Sequence, residues 1–135
     1  ELARLLNSRG VSVTAEAIEG NPKKWVVIAA KTLGVTVLLK GSRTYVANDS
    51  NLIELPVATP WLATAGTGDV LAGILGALVA THLIEILNDP DYLAPLAASA
   101  ALIHAFSATL ASGGSPISAE QMIPKISESL RKILK

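Results

Sequence analysis

The spacing of apolar residues predicts two short helices at the start of the chain. Residues 1–9 place leucines at helical intervals, and the following Gly10 is a residue type that commonly ends a helix. Thr14 can cap a second helical turn that runs through Glu19, because its hydroxyl can accept a hydrogen bond from a first-turn N–H. The chain is therefore predicted to open with helical structure.

A longer helix and three strands are predicted next. Asn21 can cap a helix that has Pro22 at its first position and that ends at Gly34. Residues 35–39 are β-branched or leucine and too few for a helix, which indicates a buried strand. Turn residues divide 44–57 into two further runs, which predicts a hairpin. The hairpin strands are 44–47 and 52–57, and the apolar face of the helix consists of Trp25, Ile28, Ala29 and Leu33.

The second half of the chain is predicted to be helical after an irregular loop. The loop spans 58–68, and residues 69–81 follow as a buried helix with no breaker other than two glycines. A further helix is predicted over 92–112, and a capping-box sequence opens a last amphipathic helix over 118–134. Because no second parallel strand completes a βαβ unit, the chain is predicted to be the later portion of an α/β fold.

Two runs in this half are apolar enough to suggest a helical hairpin in a bilayer. Residues 70–80 contain only apolar residues and glycine, and 93–111 contain few polar ones. The first run is shorter than the roughly 18 to 20 residues that a span requires, and the second includes Pro95 and His104. No lysine or arginine flanks either run. Helices buried in a soluble α/β domain are therefore the favoured interpretation.

Composition and charge exclude several classes of function. The 135 residues are 50% hydrophobic and 16% charged, with a mean hydropathy of +0.47, which excludes disorder. Eleven basic and eleven acidic residues cancel, so binding of nucleic acid or of an acidic membrane surface has no electrostatic support. The absence of cysteine excludes a disulfide framework, a thiolate zinc site and a cysteine nucleophile, and it fits the reducing cytoplasm.

The segment 65–73 carries the clearest chemical signal in the sequence. Its two glycines permit backbone conformations in which successive N–H groups converge on one anion at a helix N-terminus, where phosphate is the natural ligand. The Gly-Lys-Ser/Thr of a P-loop and the third glycine of a dinucleotide fingerprint are both missing. The predicted anion hole consists of Ala65, Gly66, Thr67 and Gly68.

Asp69 is the one carboxylate between Glu54 and Glu85, and it has two interpretations. It can be an acid that stabilises the first turn of a helix, with Thr67 as the N-cap. It can instead take the proton of a substrate hydroxyl while the adjacent amides hold the phosphoryl group that this hydroxyl attacks. The spacing alone leaves both open.

The sequences VLLKGSRT at 37–44 and GTGDVLAG at 66–73 resemble those of the ADP-dependent NAD(P)H-hydrate dehydratases of the ribokinase-like superfamily. The likeness spans nearly the whole chain but only about the C-terminal half of such a domain. The chain also opens without an initiator methionine, so a piece of a larger protein is expected. The resemblance implies that residues 1–135 are the C-terminal part of one ribokinase-like domain, a three-layer α/β/α fold.

The resemblance also implies a repair reaction. ADP, or ATP, would phosphorylate the hydroxyl of hydrated NADH or NADPH with the help of Mg²⁺, and loss of that phosphate would restore the nicotinamide ring. Asp69 would be the catalytic base at the substrate, and Gly68 would contact the nucleotide. The AMP portion would be bound by Lys40, Gly41, Ser42, Arg43 and Thr44.

From the sequence pattern alone, the two cations of 40–43, Lys40 and Arg43, follow a predicted strand. They can neutralise a nucleotide phosphate, or they can be solvated residues that protect a sheet edge. His104 has no second histidine or cysteine at metal-ligand spacing, so it is predicted to be a hydrogen-bonded core or interface residue. His82 is predicted at a helix end, and Trp61 is predicted to pack, although it could also form a wall of the site.

We further expect a cytoplasmic homo-oligomer that binds NADHX or NADPHX and a nucleotide, and that binds neither nucleic acid nor a membrane. Oligomerisation is expected because apolar helices need another part of the protein, or another subunit, to cover them. A hydroxymethylpyrimidine or sugar kinase of the same superfamily, and a non-catalytic binding module, are the alternatives. The kinase would leave a stable phosphorylated alcohol, and the module would show no turnover.

Overall fold

A computed structural model describes residues 1–134 of the chain, in which helices enclose a small sheet. The helices of the first part are α1 (Leu2–Ser8), α2 (Ala15–Gly20) and α3 (Pro22–Leu33), and the strands are β1 (Val37–Leu39), β2 (Arg43–Ala47) and β3 (Leu52–Val57). The later helices are α4 (Thr67–Thr81), α5 (Leu83–Asn88), α6 (Leu93–Ser112), α7 (Ala119–Met122) and α8 (Ile126–Ile133). The structure is thus α/β, as predicted.

Strand β2 lies in the middle of an antiparallel sheet with the order β1-β2-β3. Successive side chains of a strand point to opposite faces, and here Tyr45 and Ala47 pack against α3 while Val46 packs against α6. The sheet therefore has a helix on each face. The expectation of a buried strand over 35–39 is wrong in degree, because β1 is an edge strand whose three residues are half-buried, and Val35 is exposed.

Several helix ends are formed by the local residues that predicted them. The Thr14 hydroxyl accepts a hydrogen bond from the Ala17 N–H at 3.2 Å, and the Asn21 side chain accepts one from the Lys24 N–H at 3.1 Å. Gly34 adopts a φ of +65° and ends α3, as the sequence predicted. These ends are confirmed because each depends only on residues a few positions apart.

Helix α4 differs from its prediction at its start and in its burial. It begins at Thr67, and the residue before it, Gly66, is the N-cap. The prediction of Thr67 as N-cap is wrong, because its hydroxyl donates to the carbonyls of Leu62 and Thr64 instead of accepting from the helix. The helix is also not buried, since only Thr67, Leu71 and Ile74 are buried along it. The short α5 that follows it was not predicted.

Helix α6 is the central helix of the structure. It contacts all three strands, α4, α7 and α8, and closely packed alanines form much of its buried surface. Pro90–Ser112 is long and apolar enough to cross a membrane by length and composition. An 18-residue window within it has a mean hydropathy of 1.6, and 56% of this window is buried within the described chain. The buried side chains of this helix pack against the sheet and the neighbouring helices.

The last predicted helix is interrupted. Ser118 and Gln121 form the expected capping box, with the Ser118 N–H donating to the Gln121 side chain at 2.8 Å. Pro124 then replaces the regular helix by a 3₁₀ turn over Ile123–Lys125, because proline has no N–H for the helical ladder. A continuous helix over 118–134 is therefore wrong, and α7 and α8 are separate.

Candidate functional site

The glycine turn between β3 and α4 depends on the absence of a side chain at Gly66. This residue has a φ of +86°, in the left-handed region that favours glycine. A Cβ atom at Gly66 would also lie 3.1 Å from the Cβ of Ala119, the first residue of α7. The turn is thus both conformationally special and tightly packed, which fixes where α4 begins.

Most of the N–H groups predicted to form the anion hole make no hydrogen bond within the chain. The Thr67 N–H makes a long bond of 3.4 Å to the Thr64 carbonyl, and the Asp69 N–H donates to the Gly66 carbonyl at 3.1 Å. Over residues 1–134, the N–H groups of Ala65, Gly66 and Gly68 have no acceptor. Three of the four predicted donors are therefore available to an anion.

Lys40 brings a positive charge to this turn from the end of β1. Its Nζ atom lies 2.9 Å from the point that a Cβ atom on Gly68 would occupy. The two residues are far apart in the sequence, and the space beside Gly68 is filled by the ammonium group. The turn thus combines unbonded N–H groups with a cation, which is the combination that binds phosphate.

Arg43 is directed elsewhere. Its Nη1 atom donates a hydrogen bond to the Leu55 carbonyl at 3.1 Å and forms an ion pair with the Glu54 carboxylate at 3.2 Å, both on β3. Lys23 also contacts the Glu54 carboxylate, at 3.4 Å. Arg43 therefore shares the single negative charge of Glu54 with Lys23, whereas in residues 1–134 the ammonium of Lys40 forms no ion pair.

The predicted nucleotide-binding residues divide between two grooves. Residues 40–43, including Gly41 and Ser42, line an open cleft of about 720 Å³ that runs along β1. Thr44 lies on the other side of the sheet, in a smaller apolar groove of about 200 Å³ shared with Phe106 of α6. The structure therefore brings 40–43 together and separates Thr44 from them.

Asp69 is exposed in the first turn of α4. Within the described chain its carboxylate forms neither an ion pair nor a hydrogen bond to a neighbouring side chain. It lies at one end of an apolar groove of about 550 Å³ between α4, α6 and α8. The groove is lined by Val70, Gly73, Ile74, Ala77, Leu78, Ile103, Ile123, Ile126 and Leu130. The Asp69 carboxylate therefore lies beside the glycine turn with no partner among the described side chains.

His104 lies beneath the glycine turn and is 6% exposed. Its Nε2 atom is 2.8 Å from the Thr67 carbonyl oxygen, which confirms the predicted hydrogen-bonded core histidine. Burial lowers the pKa of His104, the bond to Thr67 opposes this, and the nearby charge of Lys40 lowers the pKa further. The net lowering favours the neutral form of the imidazole.

The remaining residues that the sequence singled out have structural roles. His82 ends α4, and its Nδ1 atom lies 2.9 Å from the Leu78 carbonyl oxygen, which confirms a helix-end residue. Trp61 packs on the cluster that contains Ala108 and Met122. The links from Lys40 to Gly68 and from His104 to Thr67 were not predicted, because no local pattern connects residues so far apart.

Comparison with known proteins identifies the family. Residues 1–128 match the family described as NAD(P)H-hydrate dehydratase. The chain belongs to this family. No solved structure matches it.

Individual relatives include two NAD(P)H-hydrate enzymes and one small-molecule kinase. The chain is 40% identical over 107 residues to a bifunctional NAD(P)H-hydrate repair enzyme of Mycobacterium leprae, a match that covers 75% of this chain and 21% of that protein. It is 40% identical over 81 residues to an ADP-dependent (S)-NAD(P)H-hydrate dehydratase of Neisseria meningitidis, covering 59% and 26%. It is 35% identical over 85 residues to a hydroxyethylthiazole kinase of Limosilactobacillus fermentum, covering 61% and 34%. The chain thus spans a fifth to a third of these relatives.

Proposed function

We propose that the chain supplies the phosphoryl-transfer part of an ADP-dependent NAD(P)H-hydrate dehydratase. The observation that carries the proposal is the approach of the Lys40 ammonium to Gly68, beside N–H groups that have no acceptor in the described chain and next to the Asp69 carboxylate. This arrangement supports an anion site and a proton acceptor within one helical turn. Family membership and the names of the dehydratase relatives supply the reaction.

The fold proposed for the complete protein is ribokinase-like, with residues 1–135 as the C-terminal part of one three-layer α/β/α domain. Its last residue, Lys135, lies outside the described residues. The helices α3 and α6 on opposite faces of the sheet support this proposal. So does the position of β1 at an edge of the sheet, where a further strand can pair.

Nucleotide binding is assigned to two neighbouring segments. The cleft-lining residues 40–43 would bind the AMP portion of ADP, with Thr44 behind them on the sheet. The N–H groups of 65–68 that have no acceptor would hold the phosphoryl group that is transferred, Lys40 would bind the adjoining phosphate of the AMP portion, and Gly68 would contact the nucleotide directly. The backbone N–H groups among these donors are held by the turn before the nucleotide arrives, so little reorganisation is needed when negative charge moves during transfer.

Asp69 is assigned as the base that starts the reaction. It takes the proton of the hydroxyl on the carbon beside the ring nitrogen, and that oxygen attacks the β-phosphorus of ADP. The bond from this phosphorus to the AMP oxygen breaks, and AMP leaves with the electron pair. The lone pair of the ring nitrogen then expels the new phosphate, and loss of a proton from the adjacent carbon restores NADH or NADPH.

Mg²⁺ is proposed to accompany the nucleotide. Residues 1–134 contain no group of three histidine, aspartate or glutamate side chains that could hold a metal ion. A Mg²⁺ ion would therefore be bound chiefly by the phosphates of ADP and by water, as is common for nucleotide complexes. It would supply charge neutralisation at the phosphates.

A cytoplasmic, oligomeric protein is part of the proposal. Leu83, Ile84 and Leu87 of α5 are each at least half exposed, and apolar patches of this kind are commonly covered by another segment or another subunit. Reduced nicotinamide nucleotides and ADP are the partners that the family implies. Neither a nucleic acid nor a membrane is proposed as a partner.

The decisive experiment incubates the complete protein with hydrated NADH or NADPH and either ADP or ATP, and follows the return of nicotinamide absorbance. We expect the absorbance to return with ADP and one phosphate to be released for each nicotinamide restored. A stable phosphorylated alcohol without that return would instead support a small-molecule kinase. No reaction with either nucleotide would support a non-catalytic module.

A further inference from the structure

Helix α6 reaches the glycine turn through one polar side chain. His104 and Thr67 are both 6% exposed, and the Nε2 atom of the imidazole lies 2.8 Å from the Thr67 carbonyl oxygen. A carbonyl oxygen can only accept, so Nε2 carries the hydrogen and donates it. The contact joins residues 37 positions apart.

This hydrogen bond is not needed to form either helix. Thr67 is the first residue of α4, and its carbonyl is already the acceptor that the regular helix pattern uses for the N–H four residues later. The imidazole uses the second lone pair of that oxygen. Most buried positions of α6 are alanine or other apolar residues, and burial of an imidazole costs free energy that an apolar side chain would not. The bond therefore does something other than satisfy the backbone.

Its effect is on the direction of one N–H group. The carbonyl of Thr67 and the N–H of Gly68 belong to the same peptide unit, which is planar and in which the two groups point in opposite directions. Fixing the oxygen from below therefore fixes the direction in which the Gly68 hydrogen points. That N–H has no acceptor in residues 1–134, and the Lys40 ammonium lies beside the same residue.

We propose that His104 is a positioning residue, which aims the Gly68 N–H at the phosphoryl group of the nucleotide by holding the opposite end of the same peptide plane. The inference rests on the proposed function, because it assigns the glycine turn to a nucleotide phosphate. The imidazole does not touch the nucleotide. A neutral ring suits this role, since it donates the hydrogen bond without placing a second positive charge near Lys40.

The test uses three variants of the complete protein and measures ADP affinity by calorimetry, separately from turnover. His104→Met removes the hydrogen-bond donor and replaces the imidazole with an apolar side chain of similar volume. His104→Gln keeps an N–H donor at a similar reach. Ser107→Ala is the matched control, because Ser107 is a fully buried polar residue one turn along α6 that donates to the Ile103 carbonyl at 2.7 Å and not to the glycine turn.

We expect His104→Met to weaken ADP binding by about tenfold, the change that loss of one aimed hydrogen bond to a charged group gives. His104→Gln should recover most of that loss. Ser107→Ala should lower the melting temperature and leave ADP affinity within about twofold. In ¹⁵N-labelled wild-type protein, we expect the Gly68 amide to shift on ADP binding, and the shift to be smaller in His104→Met.

Other outcomes would overturn the inference. If folded His104→Met binds ADP as tightly as the wild type, or if His104→Gln is no better than His104→Met, His104 does not position the turn. If His104→Met does not fold, the absence of an ADP-induced shift of the Gly68 amide in His104→Gln would exclude the role. If the wild-type protein binds no ADP at all, the proposed function itself fails. This outcome distinguishes a failure of the proposed function from a failure of the role assigned to His104.

Discussion

The ammonium of Lys40 occupies the space that a side chain on Gly68 would need, at 2.9 Å from the position of its Cβ atom. Gly68 has an ordinary helical conformation, so backbone strain does not explain the glycine there. The end of a flexible lysine can move aside, which means that the glycine is not required for folding. It is required if the ammonium must remain at the turn.

Gly68→Ala therefore tests the site without testing the fold. We expect the melting temperature to be unchanged or higher, because alanine favours a helix over glycine by about 1 kcal/mol. The KM for the nucleotide should rise, because the new methyl group displaces the Lys40 ammonium. Gly66→Ala is the contrasting variant. Because Gly66 has a φ of +86° and an added Cβ atom would press against Ala119, we expect this variant to lose about 1 to 3 kcal/mol in stability. A Gly68→Ala protein with lower stability and unchanged KM would contradict this view.

Lys40→Ala and Arg43→Ala should both raise the nucleotide KM more than they lower kcat. Charge on the phosphates that are not transferred is held equally in the ground state and the transition state, so its loss weakens binding. We expect the larger effect for Lys40→Ala, because the charge of Arg43 is already paired with Glu54. Lys23→Ala is the control, since Lys23 pairs with the same carboxylate. A collapse of kcat at constant KM would disprove the nucleotide-binding role.

Asp69→Asn should preserve the fold and lower kcat by about 10² to 10⁴, the contribution of a positioned general base. The N-cap of α4 is Gly66, and no partner of the Asp69 carboxylate lies within residues 1–134, so little stability depends on it. Thermal melting, ADP binding and turnover of the complete protein provide the measurements. A lower melting temperature with retained turnover would show that Asp69 only stabilises the helix.

The 135-residue chain produced alone should self-associate and show no dehydratase turnover. Its clefts along β1 and α4 are open, and a closed site needs walls on both sides. Ile84 and Leu87 are each 72% exposed on α5, so the double variant Ile84→Ser and Leu87→Ser should reduce association without lowering the melting temperature. Sedimentation measures association, and an active monomer would refute the expectation.

Much of the local structure in this chain could be predicted from the sequence, whereas the contacts between distant residues could not. The caps at Thr14 and Asn21 and the capping box at Ser118 were predicted correctly because each uses residues within one turn. Pro124 is visible in the sequence, and its effect on the last helix follows from the missing N–H, so that error was avoidable.

The candidate site could be predicted in its parts only. The glycine turn and Asp69 are contiguous in the sequence, so their proximity was certain. That Lys40 turns toward Gly68 while Arg43 turns toward Glu54 depends on how β1 and β3 meet their neighbours. The apolar residues of 69–81 predicted a buried helix, but hydrophobicity alone does not reveal whether a neighbouring element covers it. The prediction of burial was wrong for that reason.

Helix α4 is also uneven along its length. The contacts of Thr67, including the hydrogen bond from His104, hold the first turn in place. Further along, Gly73 and Gly76 have no neighbouring atom within 4 Å of the point that a Cβ atom would occupy. These glycines also lack side chains that would stiffen the helix. Each interior glycine weakens a helix by about 1 kcal/mol relative to alanine. Backbone amides should therefore exchange with deuterated solvent slowly near Leu71 and much faster beyond Gly76. The helix would then be rigid at the glycine turn and would unfold locally with ease at its other end.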